Sequence, residues 1–216
     1  MEFRNVVNER HSVRNFSDRV ISEEVLKEIV STAARTPSWE NNQPWNIYIA
    51  TGESLQKIRQ VWKDKYAAGI KGKADMAVGH RTNYSERSQK NMENFMADCE
   101  EKTGDKDLAN FLKDNEQLFH APAIAYLTLE KGVTGWAVYD LGAFGMTLML
   151  AAKDAGVDSI PAYEFVKYPE ELRNIIGIPE NEDVVMGIGL GYAAEDLLND
   201  YRSTRLPLND ILKITK

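Results

Sequence analysis

The chain has 216 residues, of which 43% are hydrophobic and 27% are charged, a composition typical of a globular protein rather than a disordered one. Its formal net charge is −7, with 26 basic and 33 acidic residues, so most of its surface repels a phosphate backbone and nucleic-acid binding is not expected. A single cysteine, Cys99, cannot close a disulfide within the chain. We therefore expect a reducing, cytoplasmic compartment.

No part of the sequence indicates a membrane span or a second domain. No apolar run approaches the roughly 20 residues that a span needs, so we expect no membrane association. Repeats and flexible linkers are also absent, which predicts one domain over residues 1–216.

The N-terminal part alternates helix and strand signals. Ser22 is a candidate N-cap for an amphipathic helix that ends before Pro37. Residues 45–50 have strand composition, and a second helix follows over residues 52–66. This order predicts a strand followed by a helix.

The middle segment, residues 67–116, is polar and interrupted by glycines, which predicts a helical excursion or lid. A buried strand over residues 122–129 then resumes the core. The helix predicted over residues 136–155 is apolar all round, so we expect it to be covered on every side, as by a second subunit. A last strand covers residues 184–191, and the tail at 197–216 carries apolar residues suited to docking on a partner subunit.

The segment at residues 10–16 is the first candidate binding motif. On an extended chain Arg10, Ser12 and Arg14 point the same way, with His11 between them. Guanidinium groups suit a phosphate or a delocalised anion, and a hydroxyl adds a neutral donor. An ordinary basic surface loop would have the same spacing.

Three further segments offer complementary chemistry. Residues 37–45 contain asparagine and glutamine between prolines, which suits the amide edge of a ring, although a polar loop would look alike. Residues 160–165 could present backbone N–H groups to a ligand, or simply connect a helix to a strand. Residues 202–207 form a basic cluster or a solvated tail. The three histidines and one cysteine offer little material for a metal site, and none is predicted.

Together these segments supply what flavin mononucleotide (FMN) requires: cations for its phosphate, a cation beside the ring, amides for its polar edge and backbone near N5. In their residues and order they resemble the nitroreductase family of FMN-dependent oxidoreductases. The resemblance implies an α+β (α/β three-layer) fold, with a mixed central sheet flanked by helices. It also implies an intertwined homodimer with two FMN sites at its interface.

The resemblance assigns cofactor contacts residue by residue. Arg10, His11 and Ser12 would hold the phosphate and ribityl chain, and Arg14 would lie near N1 and O2 of the ring, where negative charge gathers on reduction. The other implied cofactor-binding residues are Pro37, Ser38, Asn41 and Gln43 from the loop, Pro161, Ala162, Tyr163 and Glu164 beside the ring, and Arg202 and Arg205 at the phosphate. The first three loop residues would come from the other subunit. Many members also supply an Asn and a Lys where this chain has Asp114 and Gln117.

The implied reaction is ping-pong reduction of nitroaromatics or quinones with NAD(P)H as co-substrate, in which flavin N5 carries the hydride and no side chain is catalytic. A nitrobenzoate-type acid would fit if Arg81 or Arg87 of residues 67–116 faced the ring. Two alternatives remain open at this point. The same fold could perform dehalogenation or other flavin chemistry, or the protein could bind flavin without turnover.

Overall fold

In the computed structural model the chain forms one sheet with helices on both faces. The structure describes the backbone over residues 1–216 and the side chains of residues 1–95, 97–102 and 115–216. The helices are α1 (Phe3–Glu9), α2 (Glu23–Ala33), α3 (Gly52–Ala67), α4 (Glu86–Glu116), α5 (Gly135–Asp154), α6 (Pro169–Ile176), α7 (Leu197–Asp200) and α8 (Leu208–Ile211). The strands are β1 (Trp45–Thr51), β2 (Ala123–Glu130), β3 (Asp158–Ala162) and β4 (Glu182–Gly191).

The sheet has the order β1-β2-β4-β3, and all three neighbouring pairs run antiparallel. The α+β fold is confirmed, but the expected mixed sheet is corrected. The parallel pairing found over the described backbone is a single bridge between Ser12 and Ser159. Strand β2 is buried on both faces, which is the pattern of a parallel strand, yet here helices cover both faces of an antiparallel sheet.

Two apolar clusters fill the space on either side of β2. Ile124 and Tyr126 point toward the cluster that contains Trp62 of α3, whereas Leu127 points toward the cluster that contains Phe144 of α5. The alternation follows from the two-residue period of a strand. It produces the three-layer arrangement expected from the sequence.

Helix α5 is the long apolar helix expected at residues 136–155. It has 20 residues, and an 18-residue window within it has a mean hydropathy of 1.2. By length and composition the helix could therefore cross a membrane, which corrects the expectation that no apolar run is long enough. Half of that window is buried, and the helix packs on α2, β2 and β3, as the core helix of a folded domain does. Trp136 and Tyr139 remain exposed in the single chain.

The predicted strands and helices agree with the observed ones to within a few residues. The Ser22 hydroxyl accepts the N–H of Val25 at 3.3 Å, so the N-cap prediction is confirmed. The sequence analysis did not predict α1, β3 or α6. Proline is disfavoured inside a sheet, but Pro161 lies on β3, an edge strand, where its missing N–H is tolerated.

The segment at residues 67–116 consists of two parts with different surroundings. Its first part is hydrogen-bonded to the residues between β3 and α6. Lys73 donates its N–H to the Lys167 carbonyl at 2.8 Å, and the Tyr168 hydroxyl donates to the Ile70 carbonyl at 2.8 Å. Asp75 pairs with Arg173 at 2.7 Å. The lid prediction therefore remains only for α4 and for the residues between Asp75 and α4. Asp114 lies outside the residues whose side chains are described.

Candidate functional site

A cavity of about 490 Å3 gathers the basic residues of two distant segments. Its lining comprises Val7, Asn8, Arg10, His11, Ser12, Arg14, Met146, Tyr201, Arg202, Ser203 and Arg205. Four guanidinium groups and one imidazole thus face one space, and none of the described residues in this lining carries a carboxylate. The structure brings together six of the residues selected from the sequence, four near the N-terminus and two in the tail.

Asn199, which the sequence analysis missed, joins these two segments. Its amide oxygen accepts the N–H groups of Arg14 at 2.7 Å and Asn15 at 3.2 Å, and its amide nitrogen donates to the carbonyls of Asn15 at 2.7 Å and Ala194 at 3.0 Å. Asp196 caps α7 and accepts the Asn15 side chain at 2.8 Å. The start of the tail is therefore bound to its own chain. The prediction that the tail docks on a partner subunit remains for the residues that follow. The Asp-Leu-Leu-Asn pattern of an N-cap was the available signal.

The sheet supports the other side of the basic segment. Val13 donates its N–H to the Ser159 carbonyl of β3 at 3.1 Å, next to the bridge between Ser12 and Ser159. Arg14 donates to the Ser12 carbonyl at 3.0 Å, which holds its guanidinium along the cavity wall. Binding groups are thus carried by an extended segment that is hydrogen-bonded to a strand.

Positive charge in the cavity is incompletely compensated. Burial and the neighbouring charge of Arg205 both lower the pKa of the Arg10 guanidinium. Its Nε is buried without a hydrogen-bond partner among the described residues. No ion pair within the described part of the chain involves Arg10, Arg202 or Arg205. Such a group of cations favours a bound anion.

Arg14 and His11 are also affected by burial. Desolvation lowers the pKa of Arg14, whose guanidinium lies 5.7 Å from the Tyr201 ring centre and 5.9 Å from that of Phe95. Desolvation likewise lowers the pKa of His11, and the Arg202 charge adds to the effect, although a 2.8 Å contact from Nδ1 to the Glu9 carbonyl opposes it. The cavity therefore disfavours additional positive charge.

Tyr201 is a second site residue that the sequence analysis missed. It is buried, lines the cavity, and its hydroxyl has no hydrogen-bond partner among the residues described. Burial raises the pKa of this phenol, so it stays protonated and can donate a hydrogen bond. Its position five residues into the tail gave no distinguishing pattern.

Residues 161–164 lie at the end of β3 and directly after it, next to the basic segment, but they do not line the same cavity. Glu164 is buried, and its carboxylate accepts from Tyr66 at 2.8 Å and Lys167 at 3.3 Å. Its carbonyl accepts the Trp62 indole N–H at 2.9 Å. Pro161 and Tyr163 are exposed and Ala162 is half-buried. The Glu164 side chain is thus engaged in the protein interior, and a backbone N–H of residues 161–164 stays the predicted contact.

The loop at residues 37–43 lies against α5, away from the basic cavity of its own chain. Asp140 accepts the Trp39 N–H at 3.0 Å, and the Ser38 hydroxyl accepts the Gln43 N–H at 2.8 Å. Asn41 and Gln43 adopt positive φ angles of 60° and 48°, a strained conformation that tends to occur at functional sites. Within one chain, the structure does not bring Pro37, Ser38, Asn41 and Gln43 to the cavity.

Arg81 and Arg87, the cations proposed to bind a nitrobenzoate carboxylate, do not line the basic cavity. Arg87 donates to the Asp210 carbonyl at 3.1 Å and thereby joins α4 to α8, while Arg81 is exposed in a short turn before α4. Across the described residues, no group of three His, Cys, Asp or Glu side chains is arranged to hold a metal ion.

Comparison with known proteins finds relatives that align over most of the chain. Residues 7–192 match the model of the nitroreductase family. The chain is 29% identical over 211 residues to 4-nitrobenzoate reductase from Pseudomonas putida, covering 95% of this chain and 91% of the relative. It is 25% identical to chloronitrobenzene nitroreductase from Comamonas testosteroni, covering 95% and 93%. The structure of the FMN-dependent nitroreductase NfnB from Mycobacterium smegmatis in complex with NADPH superposes with a TM-score of 0.89 at 22% identity, covering 99% and 97%.

These features define an oxidoreductase with an α+β fold and a polycationic cavity. The chain belongs to the nitroreductase family, since the family model covers most of its length. The family resemblance drawn from the sequence motifs is thereby confirmed.

Proposed function

We propose that this protein is an FMN-dependent NAD(P)H oxidoreductase that reduces nitroaromatic compounds, with quinones as a second acceptor class. The observation that carries the proposal is the cavity in which Arg10, Arg14, Arg202 and Arg205 converge, with no carboxylate among the described residues of its lining. Converging guanidinium groups, among which Arg10 has a buried Nε without a hydrogen-bond partner among the described residues, fit the dianionic phosphate of FMN.

The chain's own residues divide the binding task. Arg10, Arg202 and Arg205 would hold the phosphate, and the hydroxyls of Ser12 and Tyr201 would add neutral donors. Arg14, on the cavity wall and fixed through Asn199, would add positive charge beside the flavin ring. That charge favours electron density at the ring's pyrimidine end and raises the reduction potential of a bound flavin.

When bound, FMN supplies hydride transfer between NAD(P)H and the acceptor. The protein binds, orients and shields, and none of the side chains in the cavity lining is assigned as a nucleophile. The anchoring of Glu164 through its carbonyl and carboxylate helps to fix the backbone of residues 161–164, in which one N–H group is the predicted contact near N5. A fixed donor at that place costs no reorganisation during the reaction.

The acceptor class is supported by two relatives. They are named for the reduction of 4-nitrobenzoate and chloronitrobenzene, and each aligns over about nine-tenths of both chains or more. We infer a nitroaromatic acceptor of similar size, and NADPH as one usable reductant because the superposed nitroreductase was crystallised with it.

We infer further that the protein is a homodimer in which the tail of each chain crosses to the other. Strand β1 forms one edge of the sheet, and a cavity of about 600 Å3 lies between it and α2, with Ile47, Ile49 and Leu26 in its lining. Ile211 and Ile214 of the tail are exposed in the single chain. An exposed apolar tail and an apolar groove along an unpaired edge are complementary.

The dimer is tested by sedimentation of Ile214→Asp beside Val78→Asp, which places the same charge on an exposed valine outside the tail. We expect Ile214→Asp to weaken dimerisation by about tenfold or more, because a charge replaces a buried apolar side chain. Unchanged dimerisation in both variants would contradict tail exchange.

The reaction is tested by an absorbance spectrum of the purified protein, followed anaerobically by NADPH and then by 4-nitrobenzoate. We expect a yellow protein whose flavin bands bleach with NADPH and return with the nitro compound. A colourless protein that FMN cannot reconstitute would overturn the proposal. Bleaching without recovery by nitro compounds or quinones would overturn the acceptor assignment alone.

A further inference from the structure

A third cavity, of about 440 Å3, lies where β1 ends and β2 begins. It shares no lining residue with the basic cavity. Its lining comprises Phe16, Asp18, Val20, Gly52, Leu55, Gln56, Arg59, His120 and Pro122. One part is therefore apolar and another carries polar side chains, which is the usual construction of a small-molecule site.

Arg59 is the cation of this cavity, and it has no carboxylate partner among the described residues. One terminal nitrogen donates to the Ala121 carbonyl, whereas Nε is buried and without a hydrogen-bond partner within the described part of the chain. Burial lowers the pKa of this guanidinium. A charged group in this condition favours an anion that would complete its hydrogen bonds.

A neighbouring hydroxyl is also unsatisfied. Tyr126 is fully buried, and its hydroxyl lacks a partner among the residues that the structure describes. Burial raises its pKa, and the nearby charge of Arg59 opposes that rise. Two buried donors without acceptors thus occur in one region, although buried polar groups are normally satisfied.

The backbone beside Arg59 is held in a rare conformation. Leu118, Phe119 and His120 are consecutive and have φ angles of 55°, 57° and 58°, the left-handed region that large side chains seldom occupy. This turn carries His120 to the cavity wall and aims the Ala121 carbonyl at Arg59. The Phe119 carbonyl also accepts the N–H of Phe16, another residue of the lining.

We propose that this cavity is an accessory binding site for a small organic monocarboxylate with an aromatic or branched apolar body. Arg59 and Gln56 would bind the carboxylate, and the body would lie against Leu55, Val20 and Pro122. The exposed carboxylate of Asp18 at the same cavity disfavours a dianion, so a single negative charge fits better than phosphate. The site is separate from the basic cavity and does not depend on the proposed reaction.

The test is isothermal titration of benzoate into the protein as purified, with the flavin absorbance recorded in parallel. The flavin bands report benzoate near the cofactor, whereas heat that appears without a spectral change reports binding elsewhere. We expect a binding component of the second kind in the wild type. Benzamide, which lacks the charge, should bind about tenfold more weakly or worse.

Two variants decide the location. Val20 is 78% exposed, so Val20→Glu adds a negative charge at the cavity with little effect on folding, and Val20→Gln is its matched control. We expect Val20→Glu and Arg59→Met to weaken the component about tenfold or more, and Val20→Gln to keep it. If Arg59→Met fails to fold, Val20→Glu carries the decision alone.

Three results would overturn the proposal: no benzoate component outside the flavin site, equal affinity in Val20→Glu and Val20→Gln, or equal affinity for benzamide. A protein without reducible flavin would contradict the proposed function but would leave the calorimetric component unchanged. The two proposals therefore fail independently.

Discussion

Two arginine groups in this protein show opposite electrostatic arrangements: the buried Arg173 with its carboxylates, and the half-buried Arg10 with the other arginines of the basic cavity. Arg173 is 5% exposed and lies within 4 Å of three carboxylates, those of Asp75 at 2.7 Å, Glu170 at 3.1 Å and Glu180 at 3.9 Å. Burial alone lowers its pKa, but these carboxylates, Asp75 foremost, outweigh burial and leave the pKa raised. For Arg10, burial and a second arginine both lower the pKa.

The difference separates a structural cation from a binding cation. The Arg173 group is completed by the chain itself and ties residue 75 to α6 and β4, since Asp75 also accepts the Val184 N–H at 2.8 Å. Arg10 has no carboxylate partner among the described residues, so the Arg10 group favours an anion from outside the chain. Substitutions in the first group should affect unfolding, and substitutions in the second should affect ligand binding.

The largest expected effect is on stability, from Arg173→Met. Removing the guanidinium leaves the Asp75 carboxylate, whose side chain is only 14% exposed, without its cation, which costs about 3–5 kcal/mol of unfolding free energy. Denaturant unfolding of the FMN-free protein measures it. The control is Arg35→Met, an exposed arginine at the end of α2, which should change stability by less than about 0.5 kcal/mol. Similar values for the two variants would remove the structural role of Arg173.

The next effect is on cofactor affinity, from Arg10→Met. Loss of charge-assisted hydrogen bonds to the phosphate should weaken FMN binding by about 1.5–3 kcal/mol, roughly ten- to a hundredfold. The stability of the FMN-free protein should stay the same or rise, because the variant removes an uncompensated charge. Fluorescence titration of FMN measures the affinity.

Arg4→Met is the matched control for Arg10→Met, since Arg4 is exposed on the neighbouring helix α1. It should leave FMN affinity within about twofold. A loss of stability in Arg10→Met without a loss of FMN affinity would reverse the comparison between the two arginine groups.

The sequence predicted the elements whose signals are local. The Ser22 cap, the apolar run of β2 and the apolar helix α5 each depend on short-range patterns, and each occurs close to its expected position. The edge strand β3 was not predicted, because a central proline argues against a strand unless the sheet order is known. The antiparallel sheet was not predicted either, since a strand buried on both faces occurs in both types of sheet.

The candidate site divides in the same way. Arg10, His11, Ser12 and Arg14 were selected because their types and alternation indicate anion binding, and the structure gathers them. Asn199 and Tyr201 act through long-range packing that no local pattern encodes. The compensation of Arg173 by residue 75, about a hundred positions away in the chain, is likewise visible only in the folded structure.

A smaller effect is expected from Glu164→Gln. This variant separates the structural role of the Glu164 side chain from the predicted backbone contact of residues 161–164 with the cofactor. Because the Glu164 carboxylate pairs with Lys167 and Tyr66, the variant should lose on the order of 1–2 kcal/mol of stability. FMN affinity should stay within about threefold, since the predicted cofactor contact uses a backbone N–H of residues 161–164 and not the Glu164 carboxylate.

Tyr163→Phe provides the comparison for that variant, because Tyr163 is 42% exposed and its substitution should affect stability little. The same unfolding and FMN titrations measure both variants. A large loss of FMN affinity in Glu164→Gln, with stability unchanged, would place the Glu164 carboxylate in the binding site instead of the interior.

The smallest effect is the titration of His11, which measures the uncompensated charge directly. Burial lowers its pKa below 6.5 in the folded protein, and Arg202 contributes. The unfolded chain therefore binds the proton more readily, so the stability of the FMN-free protein should fall by a fraction of a kcal/mol or more as pH drops below about 6.5. Bound FMN phosphate should raise the pKa of His11 and reduce this loss.

Since the chain has three histidines, NMR titration can follow His11 against the exposed His80 as its control. A His11 pKa above 6.5 without FMN, or one that FMN leaves unchanged, would show that the basic cavity is already compensated within the chain.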